Sequence, residues 1–218
     1  MQPVLESREF MYRLLQRMFE SSLDKELLLK AKDELPFELL TEISEGGRDL
    51  SQFFLSITQT NVDQIAKQEQ EEFQRLFIGP NELPAHPWES VYRSAERILF
   101  DETTFLFRQK LHENGLKYLK ENNEPEDHIS IQLSFMAYLI EQQIQALQEN
   151  NDEEFCRKVN AQVAVLQDHL NQWVFEFTNN LLVATDSLLY QGAAKLLRDF
   201  LKADTAYVSD IKGAIAHE

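Results

Sequence analysis

The sequence is short of the residues that cross-link a chain, break it or hold a metal. Cys156 is the only cysteine in 218 residues, which excludes an intrachain disulfide and any multi-cysteine metal site. Set between Phe155 and Arg157, it reads as an inert buried thiol. Six glycines and six prolines are together about half the usual share. A many-stranded sandwich or barrel needs turn residues every ten positions or so, and this chain cannot supply them. No apolar run reaches the roughly 18 residues that span a bilayer. Met1–Phe10 has neither a basic start nor an apolar stretch, so no signal peptide is expected and a reducing cytoplasm is the expected address. Basic residues are also scarce: 21 Lys and Arg face 37 Asp and Glu, for a formal charge of −16 spread over both halves of the chain. Such a field repels nucleic acid and anionic lipid, and it either draws in a cationic peptide or serves solubility alone.

The residues that are present follow helical spacing from end to end. With 43% hydrophobic residues there is material for a core. Phe10, Met11, Leu14, Leu15, Met18 and Phe19 line one face of an opening helix. Ser22 or Asp24 caps a second, which stops before Pro36, and a short helix near 37–44 is expected to end at Gly46-Gly47. Another runs through Phe53, Phe54 and Ile57; the next, capped by Asn61, ends at Gly79-Pro80. Pro80–Glu89 holds three prolines in eight positions and reads as extended. Helical spacing resumes at Ser90 through Val91, Ala95, Ile98 and Leu99, and restarts at Thr103 or Thr104 with Gly115 as its stop. The polar break 121–127 introduces the longest clear helix, with Asp127 as its expected cap. Helices follow from Phe155 to Phe177 and from near Asp186 to Leu201, and the residues after Lys202 are expected to fray. The fold class is all-α: a single compact domain, 1–218, of about nine or ten helices, with a subdomain break near 115–127 as the alternative.

Chemistry-bearing patterns are absent. His86, His112, His128, His169 and His217 show no His-x-x-x-His or Glu-x-x-His pairing, so no metal is expected. Gly46-Gly47 lacks the Lys-Ser/Thr of a phosphate loop, so no cofactor is expected. Ser90 lacks the small neighbours of a nucleophile elbow, so the chain does not read as an enzyme. The feature that stands out is a stiff apolar loop, Leu83, Pro84, Pro87 and Trp88, with Tyr92 four residues on. It suits either a docked peptide or a tryptophan that plugs the core. Glu124-Pro125-Glu126-Asp127-His128 is an anionic helix start that suits recognition or capping alone.

The runs Phe73-Gln74-Arg75-Leu76-Phe77-Ile78-Gly79-Pro80, Leu83-Pro84-Ala85-His86-Pro87-Trp88-Glu89-Ser90-Val91-Tyr92 and Glu124-Pro125-Glu126-Asp127-His128 together resemble the TorD/DmsD family of redox-enzyme maturation chaperones. His86 departs from it, since the family more often has a second proline there. The resemblance implies a cytoplasmic chaperone whose partners are the twin-arginine signal peptide and the apo catalytic subunit of a molybdenum oxidoreductase. It would delay export until the cofactor is inserted, as a monomer or a helix-swapped homodimer. Leu83, Pro87, Trp88, Glu89, Ser90, Val91, Tyr92, Glu124, Glu126, Asp127 and His128 are the expected signal-binding surface, with the two loops side by side. The alternatives are a helical adaptor for a non-exported client, such as a nitrate reductase subunit or a motility factor, and a small hydrolase using Ser90 with Asp127-His128.

Overall fold

The computed structural model describes residues 1–215, and His217 lies outside them. Those residues are all-α. They form α1 (Gln2–Glu20), α2 (Lys25–Glu34), α3 (Phe37–Ile43), α4 (Glu45–Ser56), α5 (Val62–Phe73), α6 (Glu89–Arg93), α7 (Glu102–Glu113), α8 (Ile129–Gln148), α9 (Asp152–Val165), α10 (Asn171–Ala184) and α11 (Leu188–Ile215). A π-helical turn, Gln74–Ile78, prolongs α5, and a second, Leu166–Leu170, joins α9 to α10 in one unbroken rod. Counted as rods, there are ten helices among the described residues, as the spacing predicts. No helix among them is long and apolar enough to cross a membrane.

The chain divides into two compact units. Unit 1 takes Met1–Arg17, Trp88–Phe175 and the residues from Phe200 on; unit 2 takes Met18–Pro87 and Glu176–Asp199. The polar stretch 115–127 lies within unit 1.

Unit 2 is built around aromatic rings. Phe77 lies 5.1 Å from Phe73, 5.7 Å from Tyr190, 6.2 Å from Phe19 and 6.3 Å from Phe177, mostly edge to face. The π turn places Phe73, Leu76 and Phe77 inside and leaves Ile78 outside. The run before Gly79-Pro80 is thus chiefly core. Gly79, at φ 102, takes the left-handed conformation that ends the turn. Gly46-Gly47 does not end a helix, as the spacing suggested. Ser44 caps α4 through Gly46 N–H at 3.0 Å, and both glycines sit in its first turn. They are small because backbone passes close by: a Cβ on Gly46 would strike the Gly192 carbonyl and the Leu196 amide, and one on Gly47 the Leu40 carbonyl.

Unit 1 surrounds α8, which buries Ile129, Leu133, Phe135, Met136, Ala137, Leu139 and Ile140. A helix apolar on nearly every side belongs at the centre of its unit. A buried ion pair is set into the same unit. Arg8 donates to Asp204 at 2.5 and 3.1 Å, Tyr12 donates to it at 2.6 Å, and Arg8 also reaches Gln162 at 2.8 Å. That anchoring, with Leu201 and Val208 buried, keeps α11 helical to Ile215, so the expected fraying of 203–215 is not observed.

Two further expectations are corrected. The helix from Ser90 stops at Arg93: Ala95, Ile98 and Leu99 have the spacing but are exposed, so burial adds little to stabilise another turn. Arg97 and Phe100 instead take left-handed backbone, at φ 52 and 59. The cap of α8 is His128: its Nδ1 accepts from Ser130 N–H at 3.1 Å, while Asp127 is turned elsewhere. Gly115, at φ 75, does stop α7; its N–H meets His112 O and that of Leu116 meets Leu111 O.

Gly46→Ala is expected to destabilise the protein by about 1–3 kcal/mol through overpacking against backbone. Gly213→Ala, with open space around its Cβ, should be neutral or stabilising by up to about 1 kcal/mol. Thermal melts of the two variants beside the wild type check this, and equal Tm values would remove the close-approach reading.

Candidate functional site

Trp88 leaves the proline-rich segment in extended backbone, and helix α6 follows at once. A five-residue helix has too few internal bonds to persist alone, so its position comes from what grips it. Asp127 does so twice. Its carbonyl accepts Glu89 N–H at 3.2 Å, and its carboxylate accepts Ser90 N–H at 2.6 Å. The two segments therefore meet as a one-rung antiparallel bridge between Trp88 and His128, whose rings stand edge to face at 5.4 Å. The side-by-side arrangement that the family resemblance implied is present.

Beneath this rung lies a second carboxylate with no access to solvent. Glu89 accepts from Gln132 Nε2 at 2.6 Å, from His169 Nδ1 at 2.9 Å and from Arg93. The π turn 166–170 carries His169. Gln132 is held in turn by Trp173 Nε1, which donates to its Oε1 at 3.1 Å, and the Tyr92 ring lies 5.4 Å from Trp173. Arg93 also donates to Asp168 O at 2.6 Å. A buried carboxylate without such donors would cost several kcal/mol, so this set of contacts is what permits Glu89 to sit here. Burial pushes the Asp127 carboxyl up, while the Ser90 N–H and the nearby Ser90 and Thr104 hydroxyls pull it down.

The expected site residues thus separate by exposure. Glu89, Ser90, Val91, Glu126 and Asp127 are buried. Glu126 pairs bidentately with Arg108 at 2.9 and 3.1 Å, which ties its segment to α7. Trp88, Tyr92 and His128 are half-buried, and Glu124 is exposed. Glu124 has neighbours of its own: Lys120 at 2.7 Å and the Tyr118 hydroxyl at 3.0 Å. Lys120 holds the Glu124 carboxyl below its ordinary range, and burial together with Glu124 pushes the Tyr118 phenol up to about 12. Leu83, half-buried, and Pro87, buried, belong to unit 2. His128 Nδ1 is engaged with Ser130, 2.8 Å from its Oγ. Among the described residues no three His, Cys, Asp or Glu gather as a metal site. Sequence reasoning missed Gln132, His169, Trp173, Thr104 and Arg108. Their one sequence signal is polar groups on otherwise apolar helix faces, which names no partner.

The cap has a pH dependence with a definite sign. Burial holds the His128 imidazole down to about 4, against the pull of Glu124, so it is neutral and able to accept from Ser130 near pH 7. Unfolded, it titrates near 6.5. Its contribution to stability is therefore complete above about pH 6.5 and is lost as pH falls towards about 4. Asp127 works the other way, because its raised carboxyl takes up a proton earlier in the folded chain than in the unfolded one. His128→Asn keeps a capping side chain and removes the titration. Its Tm should fall less than that of wild type between about pH 7 and about pH 4.5. Parallel Tm-against-pH curves would show that His128 does not carry this dependence.

Known proteins are similar to this chain. The Tat proofreading chaperone DmsD of Salmonella typhimurium is 34% identical over 126 residues, covering 58% of this chain and 55% of that protein. The chaperone protein TorD of Aliivibrio salmonicida is 27% identical over 209 residues, covering 94% and 95%. The crystal structure of a redox enzyme maturation protein from Archaeoglobus fulgidus shares the fold, with TM-score 0.54 and 22% identity over 89% of this chain and 93% of that one. The family model of the nitrate reductase delta subunit matches residues 38–179, well over half of the sequence, and the chain belongs to that family, of TorD/DmsD type.

Proposed function

We propose that this chain is a cytoplasmic, non-enzymatic chaperone that binds the signal peptide and the apo form of a molybdenum oxidoreductase. It would hold that client until the cofactor is inserted and export can proceed. The observation that carries this reading is the Trp88–His128 bridge, an aromatic surface fixed from beneath by the buried Glu89 and Asp127. A rigid aromatic surface binds a peptide at little ordering cost, because its own rotamers are already restricted. The relatives named Tat proofreading chaperone DmsD and chaperone protein TorD support the same direction.

In this reading the residues have two roles. Trp88, Tyr92, His128 and Glu124 touch the client, and Glu89, Ser90, Val91, Glu126 and Asp127 position them. The charge of −16 draws a cationic signal towards the chain, and apolar contact retains it. A second reading, in which the same surface serves a non-exported nitrate reductase subunit, is favoured by one observation, the description of the matching family. A twin-arginine peptide separates the two, since only the first reading expects it to bind.

Trp88→Ala should weaken binding of a twin-arginine signal peptide by about 1 kcal/mol or more, roughly fivefold, with little change in Tm. Raising ionic strength should weaken wild-type binding further while leaving an apolar remainder. Titration calorimetry at low and high salt, paired with melts, measures all three. A large loss of stability with unchanged affinity would make Trp88 a core plug and end its role as a contact.

A further inference from the structure

Single exposed apolar side chains are ordinary on a soluble protein. In unit 1, however, four bulky ones fall within nine consecutive positions: Ile98 is 47% exposed, Leu99 42%, Phe105 50% and Leu106 44%. Phe105 and Leu106 stand on the outer side of α7, whose inner side buries Thr103, Thr104, Phe107 and Leu111. Ile98 and Leu99 lie in the segment between α6 and α7, between two left-handed residues, Arg97 and Phe100. Such a conformation costs energy for any side chain with a Cβ, and bulky residues adopt it only where the surroundings impose it. Here the backbone spends that energy while Ile98 and Leu99 remain in water.

Helix α7, which carries Phe105 and Leu106, also reaches the site already described. Thr104, one residue before Phe105, faces the Asp127 carboxylate that grips α6. Arg108 lies over the Phe105 ring, 5.1 Å from its centre, and pairs with Glu126. The charge around the patch has one sign. Glu96, Asp101 and Glu102 interleave with the apolar residues, none of them in an ion pair among the described residues, and Arg97 is the only basic residue from 94 to 106. By contrast, Glu124 on the other side of the rung is already matched by Lys120.

We infer that the apolar face formed by Ile98, Leu99, Phe105 and Leu106 is where the uncharged stretch of the client's signal peptide lies, with Glu96, Asp101 and Glu102 facing its basic residues. This rests on the chaperone reading above and places the client's apolar stretch beside the Trp88–His128 rung on the α7 side. The complementarity is specific: an apolar surface bordered by unmatched carboxylates fits a segment that is both greasy and cationic, and rejects an acidic one.

The test uses the full chain and a synthetic peptide with two adjacent arginines followed by an unbroken alanine–leucine stretch carrying one benzophenone side chain. Irradiation of the complex should join the benzophenone to residues between 98 and 106, located by mass spectrometry. Leu99→Ser with Phe105→Ser should weaken the peptide by about tenfold while the protein stays folded at the temperature of the titration, since both side chains are about half exposed. The triple variant Glu96→Gln, Asp101→Asn, Glu102→Gln should weaken binding at low salt and show a shallower salt dependence than wild type. Undiminished affinity in both variants, with cross-links elsewhere, overturns the placement and leaves the chaperone reading intact. No binding to wild type overturns both. A wild-type dimer that Leu99→Ser with Phe105→Ser dissolves, without a change in peptide affinity, would assign the face to a second copy of this chain and also overturn the inference.

Discussion

A carboxylate without access to water must be surrounded by donors, and the arrangement around Glu89 is the constraint on which the site depends. Gln132, His169 and Arg93 converge on it from α8, the π turn and α6 itself. Each donor has to be in place for the charge to be tolerated, so together they fix the register of three elements. Asp127 does the same for the backbone of α6 through two hydrogen bonds to successive residues. The short helix and the tryptophan before it are held by these buried polar contacts together with the burial of Val91 and the packing of Tyr92 on Trp173.

In the proposed reading, that division of labour lets so acidic a segment serve recognition while few of its acids meet solvent. Glu89, Glu126 and Asp127 are consumed internally, by Arg93, Arg108 and the start of α6. The surface they leave is aromatic and small, and the free negative charge sits in the neighbouring stretch 96–102. Under the proposed function, long-range attraction comes from the chain as a whole, and local selectivity from rigid rings and unmatched carboxylates.

Much of the fold is legible in the sequence because three- and four-residue apolar spacing reports burial. The faces of α5, α8 and the rod from α9 to α10 are read correctly down to Phe73, Leu133 and Trp173. What spacing does not report is packing opportunity. Ala95, Ile98 and Leu99 have the same period and form no helix, and they stay exposed. Gly46 and Gly47 look like a stop and instead permit close approach, which depends on Gly192, Leu196 and Leu40 elsewhere in the chain. For the site, the motif segments are legible and their exposure is not. Asp127 reads as a cap, but its partner lies 37 residues away, and His128 does the capping. His169 and Gln132 show only as polar groups on apolar helix faces, and their partner, Glu89, is distant in sequence.

The central claim is that Glu89 acts on the client through the structure it holds and not by touching it. Glu89→Gln preserves volume and removes the charge that His169 and Arg93 attend, and hydrogen exchange of its backbone amides reads the consequence directly. The account predicts a lower Tm and faster exchange across 88–93 and 127–132, with signal-peptide affinity reduced only as far as that loosening requires. An unchanged Tm and unchanged exchange alongside a collapse in affinity would contradict it, and would make Glu89 itself the contact.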